Sequence, residues 1–192
     1  FATEVALIYA IGGAMFAAMT GVCMLSKEEE GHTSEFLNTL PLGRGYIVCW
    51  KYLSAAAMIL LFNFLCVIWE FAGFALAGEM PSGKNLALFH AAQLLMQLEV
   101  GSLCFLISAI CKRKQTGAAL GFAVLLYIMD LMCRIVPDIE DLKYVTPYYF
   151  SNATHIYNGG RNEGSMAAVS ALAAVISFAA AWVIYGRRDL AA

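Results

Sequence analysis

The chain has 192 residues, of which 61% are hydrophobic and only 14% charged. Soluble domains carry about 25% charged residues, so a water-soluble globular domain is excluded as the first reading. The net charge of −2 offers no basic surface for nucleic acid, and the absence of CxxC pairs leaves the six cysteines as small apolar side chains rather than a disulfide framework or zinc site.

Five stretches reach the roughly 20 apolar residues that a helix needs to cross the hydrocarbon core. In chain order they are 5–25, 53–77, 86–111, 116–137 and 165–185. The fold class predicted is therefore all-α, a polytopic helical membrane protein read as a single transmembrane domain over 1–192. The chain begins with Phe1 rather than Met, and the first stretch is too long for a signal-peptide core and has no basic region before it. The natural start is expected upstream.

The first span, 5–25, is uncharged. It continues into Glu28, Glu29 and Glu30, with Gly31 as a break. Within the connection 26–51, Thr33 or Ser34 can cap a short helix whose Phe36, Leu37 and Leu40 share one face, and Pro41 and Gly43 stop it. Two readings stand for this segment. It is an amphipathic helix lying on lipid, or a docking element for a protein, which suits its acidic run better because anionic lipid repels carboxylates.

The second span, 53–77, carries Glu70, seven residues after Asn63 on the same helix face. Near the span's end, Glu70 reads first as a side chain snorkelling to the interface. The following Gly78–Asn85 stretch resembles a phosphate-binding loop but lacks the Ser or Thr that would hold magnesium, and no strand precedes it. A turn is the better account.

The third span, 86–111, is the most polar. Its twelve Leu, Ile, Phe and Val residues supply about −6 kcal/mol of insertion free energy at roughly −0.5 each. Glu99 takes back about 3 kcal/mol, and His90, Gln93 and Gln97 consume much of the rest. Insertion alone is marginal, so the helix should turn its polar side to protein or water. His90, Gln93 and Gln97 share a face by i, i+3, i+7 spacing, and Glu99 lies on another. Glu99 is the deepest charge, and Glu99, Gln93 and Gln97 are the pathway candidates; a partnered packing role for Glu99 is the alternative.

In the fourth span, 116–137, Asp130 and Arg134 stand at i, i+4 and are predicted to form a structural ion pair. Gly117 and Gly121 form a small-xxx-small pattern that permits close helix contact. The stretch 138–164 is rich in aromatics and holds an Asn152-Ala153-Thr154 sequon, and 165–185 is the last, uncharged span. Eight of the twelve Lys and Arg fall on alternate connections: Lys27, Arg44, Lys51, Lys112, Arg113, Lys114, Arg187 and Arg188. The positive-inside rule places these in the cytoplasm and 138–164 outside.

The run Glu29 to Arg44, EEGHTSEFLNTLPLGR, followed by Lys51, resembles the signature of ABC-2 type transporter permeases, with His32 interposed where the family usually has Gly directly before Thr. Thr146-Pro147-Tyr148-Tyr149-Phe150 is similar to the family's external segment before its last helix, and Arg187-Arg188-Asp189 to its ending. The resemblance implies six spans in the full chain, of which this sequence lacks the first. It implies an exporter in the cell membrane of a bacterium, paired with a second permease, identical or different. It further implies that Glu29, Glu30, Gly31, Thr33, Glu35, Phe36, Leu37 and Leu40 couple the chain to a separate ABC ATP-binding subunit. ATP and Mg²⁺ would then belong to that partner, with no cofactor, metal or catalytic residue on this chain, and 138–164 would form short re-entrant helices. The competing classes are a carrier or channel driven by an ion gradient and a non-transport assembly or sensor subunit.

Overall fold

A computed structural model of the chain describes residues 2–31, 43–78, 82–159 and 164–187. Its elements are α1 (Ala2–Glu30), α2 (Arg44–Ala77), α3 (Gly83–Ile110), α4 (Thr116–Ile135), a 3-10 helix (Pro137–Tyr144), α5 (Ala153–Gly159) and α6 (Gly164–Arg187). Five of these helices, α1, α2, α3, α4 and α6, are long and apolar enough to cross a membrane, matching the five spans read from hydropathy. The boundaries shift outward where the helix runs on into water. With 34 residues, α2 is about 51 Å long at 1.5 Å per residue, well beyond a core of about 30 Å, and its first two turns lie within the stretch 26–51. The fourth span ends at Ile135, because Pro137 cannot continue an α-helix and opens the 3-10 helix instead.

The helices are arranged around α3. Of its membrane-length window 61% is buried, against 17% for α2. Its most extensive contacts are with α1 and α6. Meanwhile α2, α4 and α6 turn Leu, Ile, Val and Trp side chains outward, as lipid-facing helices must when hydrocarbon is the solvent. One end of the bundle gathers the basic connections; there Leu25, Val48, Phe105, Ala109, Ala181 and Tyr185 pack together. Toward the opposite end, Phe89, Ala153, Ile156, Met166 and Tyr148 join α1 and α3 in a second, larger cluster.

Glycine lets α1 and α3 approach. A Cβ on Gly21 would collide with the carbonyl of Gly101, and Ala14, Ala17 and Ala18 are fully buried along the same side of α1. This is the small-residue packing of membrane helices, but not where the Gly117–Gly121 pattern placed it. A Cβ at either of those positions meets nothing within 4 Å, so that expectation is corrected: in this chain the close contact belongs to Gly21 and Gly101.

The same Gly→Ala change therefore separates the two sites. Gly21→Ala should lower stability by about 1–3 kcal/mol through overpacking, whereas Gly117→Ala should leave it unchanged or slightly raised. Thermal unfolding of the detergent-solubilised chain measures both, and equal losses would contradict the assigned contact.

Candidate functional site

At the basic end, the acidic tail of α1 is tied to its neighbours. Lys51 of α2 pairs with Glu28, and its ammonium donates to the Met24 carbonyl at 2.9 Å, where α1 nears its end. The Glu30 carboxylate accepts the Lys114 N–H at 2.9 Å, which links α1 to the α3–α4 connection. One turn deeper, the Ser108 hydroxyl of α3 accepts the N–H groups of Leu25 and Ser26, each at 3.0 Å. Glu29 lies in the last turn of α1, and Gly31 ends it with its N–H on the Lys27 carbonyl. Thr33, Glu35, Phe36, Leu37 and Leu40 fall outside the described residues, as does the short helix expected there.

Deeper in the bundle, the polar residues of α3 are taken up one by one. The Gln97 amide oxygen accepts from Asn63 Nδ2 at 2.7 Å, and Asn63 in turn takes the Tyr9 hydroxyl, so α1, α2 and α3 share one network. Gly13 makes room for it, since a Cβ there would strike the Gln97 amide. Gln93 shares the face of Gln97 but serves a different partner, donating to the Ser151 carbonyl at 2.9 Å. The Tyr52 hydroxyl of α2 meets Ser102 at 2.8 Å. Sequence reasoning passed over Ser102 and Ser108; their signal is a small hydroxyl inside an apolar span, where hydrogen bonds join helices.

Glu99 points the other way, as its spacing required. It is 7% exposed and faces Ser170 of α6. The cleft they share is about 10 Å³ and is also lined by Lys143, Thr146 and Phe150, room for about one water molecule. Among the described residues, neither Glu99 Oε2 nor the Ser170 hydroxyl meets a partner in hydrogen-bond geometry.

Glu70 corrects the sequence reading. It does not snorkel outward: its carboxylate stands 2.9 Å from His90 Nε2 of α3, off the line of a hydrogen bond. The approach was hidden because it joins two spans whose register hydropathy does not specify.

The described residues 145–157 fold back into the bundle. Thr146 donates to the Leu126 carbonyl at 2.9 Å and Tyr148 to that of Ala123 at 3.2 Å. Leu126 lies nine residues before the end of α4, about 13 Å down its axis. Burial pushes the Tyr148 phenol above its ordinary range and keeps it a donor; burial likewise pushes Tyr157 up to about 12. Asn152 caps α5 by accepting the Thr154 N–H at 2.8 Å. Arg134 secures the segment. It donates to both Asp130 oxygens at 3.0 and 2.9 Å, lies 3.4 Å from the Tyr149 carbonyl, and stacks 4.9 Å from the Tyr149 ring centre. The predicted ion pair is present and also anchors 138–164.

Removing one member of that pair strands a buried charge. Arg134→Leu should cost about 3–5 kcal/mol, and the double variant Asp130→Leu with Arg134→Leu should recover most of it. Thermal unfolding compares them; a double variant no more stable than the single one would refute the pairing.

The family model described as ABC-2 family transporter protein matches residues 2–190. No curated protein and no solved structure matches the chain. With nearly every residue inside that match, and with five membrane-length helices around a polar centre, the chain belongs to the ABC-2 transporter family as a membrane-spanning permease subunit of an ABC transporter.

Proposed function

We propose that this permease is driven by ATP hydrolysis on a separate ATP-binding subunit, which grips the 26–51 segment, and that it exports its substrate across the cell membrane of a bacterium as one of two paired permeases. The observation that supports coupling through this segment is the double tether of the α1 tail, to α2 through Lys51 and to the α3–α4 connection through Glu30. A displacement of the segment would be passed to three helices at once rather than lost in a loose loop. Glu29, Glu30, Gly31, Thr33, Glu35, Phe36, Leu37 and Leu40 are the residues proposed to meet the ATPase. Export, the pairing and the bacterial membrane rest on the family resemblance.

Within the membrane we assign the pathway role to Glu99 in preference to Gln93 and Gln97, whose amides are engaged with Ser151 and Asn63. The same buried carboxylate beside a water-sized cleft is the observation that favours the second reading, a carrier coupled to an ion gradient.

Charge reversal at Glu35 combined with Leu37→Asp should reduce co-purification of the ATP-binding subunit, or its transport-coupled hydrolysis in vesicles, by about tenfold or more, the scale of an interface hot spot. Glu28→Lys should impair coupling without loss of binding, and adding Lys51→Glu should restore it. Unchanged coupling in the Glu35, Leu37 variant would overturn the proposal; transport by the chain without any ATPase would establish the second reading.

A further inference from the structure

A groove of about 590 Å³ runs between α1 and α2, at the end of the bundle away from the basic connections. It is nearly all apolar, and its volume falls in the range of about 300–1,000 Å³ typical of sites for small organic ligands. Glycine leaves it open: a Cβ on Gly12, in the groove's α1 wall, or on Gly73, in its α2 wall, would meet nothing within 4 Å.

The chemistry of the lining is specific. Four aromatic residues, Tyr9, Phe62, Trp69 and Phe74, line the groove together with one carboxylate, Glu70, and among the described lining residues there is no Lys or Arg. Aromatic faces attract cations through their quadrupoles, more strongly when water is excluded, and aromatic cages are the usual receptors for organic ammonium groups. The groups facing Glu70 are Tyr9 from α1, Cys66 from its own helix, His90 from α3 and Tyr157 from α5. His90 is not part of the groove wall; it approaches the carboxylate from the α3 side.

We infer that this groove binds a compact organic cation with an apolar body, its charge held between Glu70 and the aromatic rings. The mouth opens sideways toward lipid, past Trp69 and Leu76, which are 81% and 91% exposed, so the ligand enters from the membrane. A two-chain lipid is too large for the volume, which suits a drug-sized molecule. The inference concerns binding to this chain alone, so it stands or falls separately from ATP coupling.

The test uses the full chain purified in an uncharged maltoside detergent, with tetraphenylphosphonium as the probe and the anion of the same shape, tetraphenylborate, as the comparison. Equilibrium dialysis should show saturable binding of the cation and at least about tenfold weaker binding of the anion, a discrimination of the size one desolvated charge contact supplies. Glu70→Gln should weaken the cation by about the same factor. Gly12→Leu, whose Cβ has open space around it, should abolish binding while the unfolding temperature stays unchanged. Equal binding of both ions, or full affinity in either variant, would overturn the site. So would a groove closed by a second copy, seen as a dimer that Gly12→Leu dissociates and to which the cation does not bind.

Discussion

The arrangement of this protein depends on one constraint: α3 is too polar to face hydrocarbon. A polar group in a bilayer core must find its partner within the protein, and α3 carries six positions that need one. Three of them turn to α2, and the others to α1, to the stretch before α6 and to α6 itself. Ser108 meets the end of α1, Ser102 meets Tyr52, Gln97 meets Asn63, His90 meets Glu70, Gln93 meets Ser151, and Glu99 faces α6. Individually such interhelical bonds contribute little, averaging about 0.6 kcal/mol. Collectively they favour the observed placement of α1 and α2 against α3. Most of the length of α2, α4 and α6 is turned outward, and these helices form the outer wall.

Much of this was legible from the residues. Hydropathy gave the five spans, since 20 apolar residues in a row have few other uses. The arithmetic of Glu99 and the two glutamines showed that α3 could not stand alone in lipid, and i, i+4 spacing predicted Asp130 with Arg134. What was hidden depends on register between distant segments. Gly21 and Gly101 are eighty residues apart, and nothing local says that they touch, whereas Gly117 and Gly121 form a visible motif that touches nothing. Glu70 looked like an interfacial carboxylate because its partner, His90, lies on another span. The aromatic richness of 138–164 was visible, but its placement was set by Thr146 and Tyr148 reaching carbonyls well inside α4.

The same centre joins the two ends of the molecule. Toward the basic end, α1 packs on α3 through small residues and then hands its acidic tail to Lys51 and Lys114. Toward the other end, α3 holds the Ser151 carbonyl through Gln93, and Glu99 lies beside Lys143 and Thr146. The α1 and α3 helices thus join the tethered tail to the 138–164 stretch.

The most direct test of the central claim is lipid accessibility, measured by labelling the chain in bilayers with a membrane-dissolved carbene reagent and mapping adducts by mass spectrometry. The account predicts heavy labelling at lipid-facing Leu61, Phe64, Leu65 and Ile68 of α2 and almost none at Met96, Val100, Cys104 or Phe105 of α3. Comparable labelling of the two helices would mean that α3 faces lipid after all, and the account of the bundle would fail.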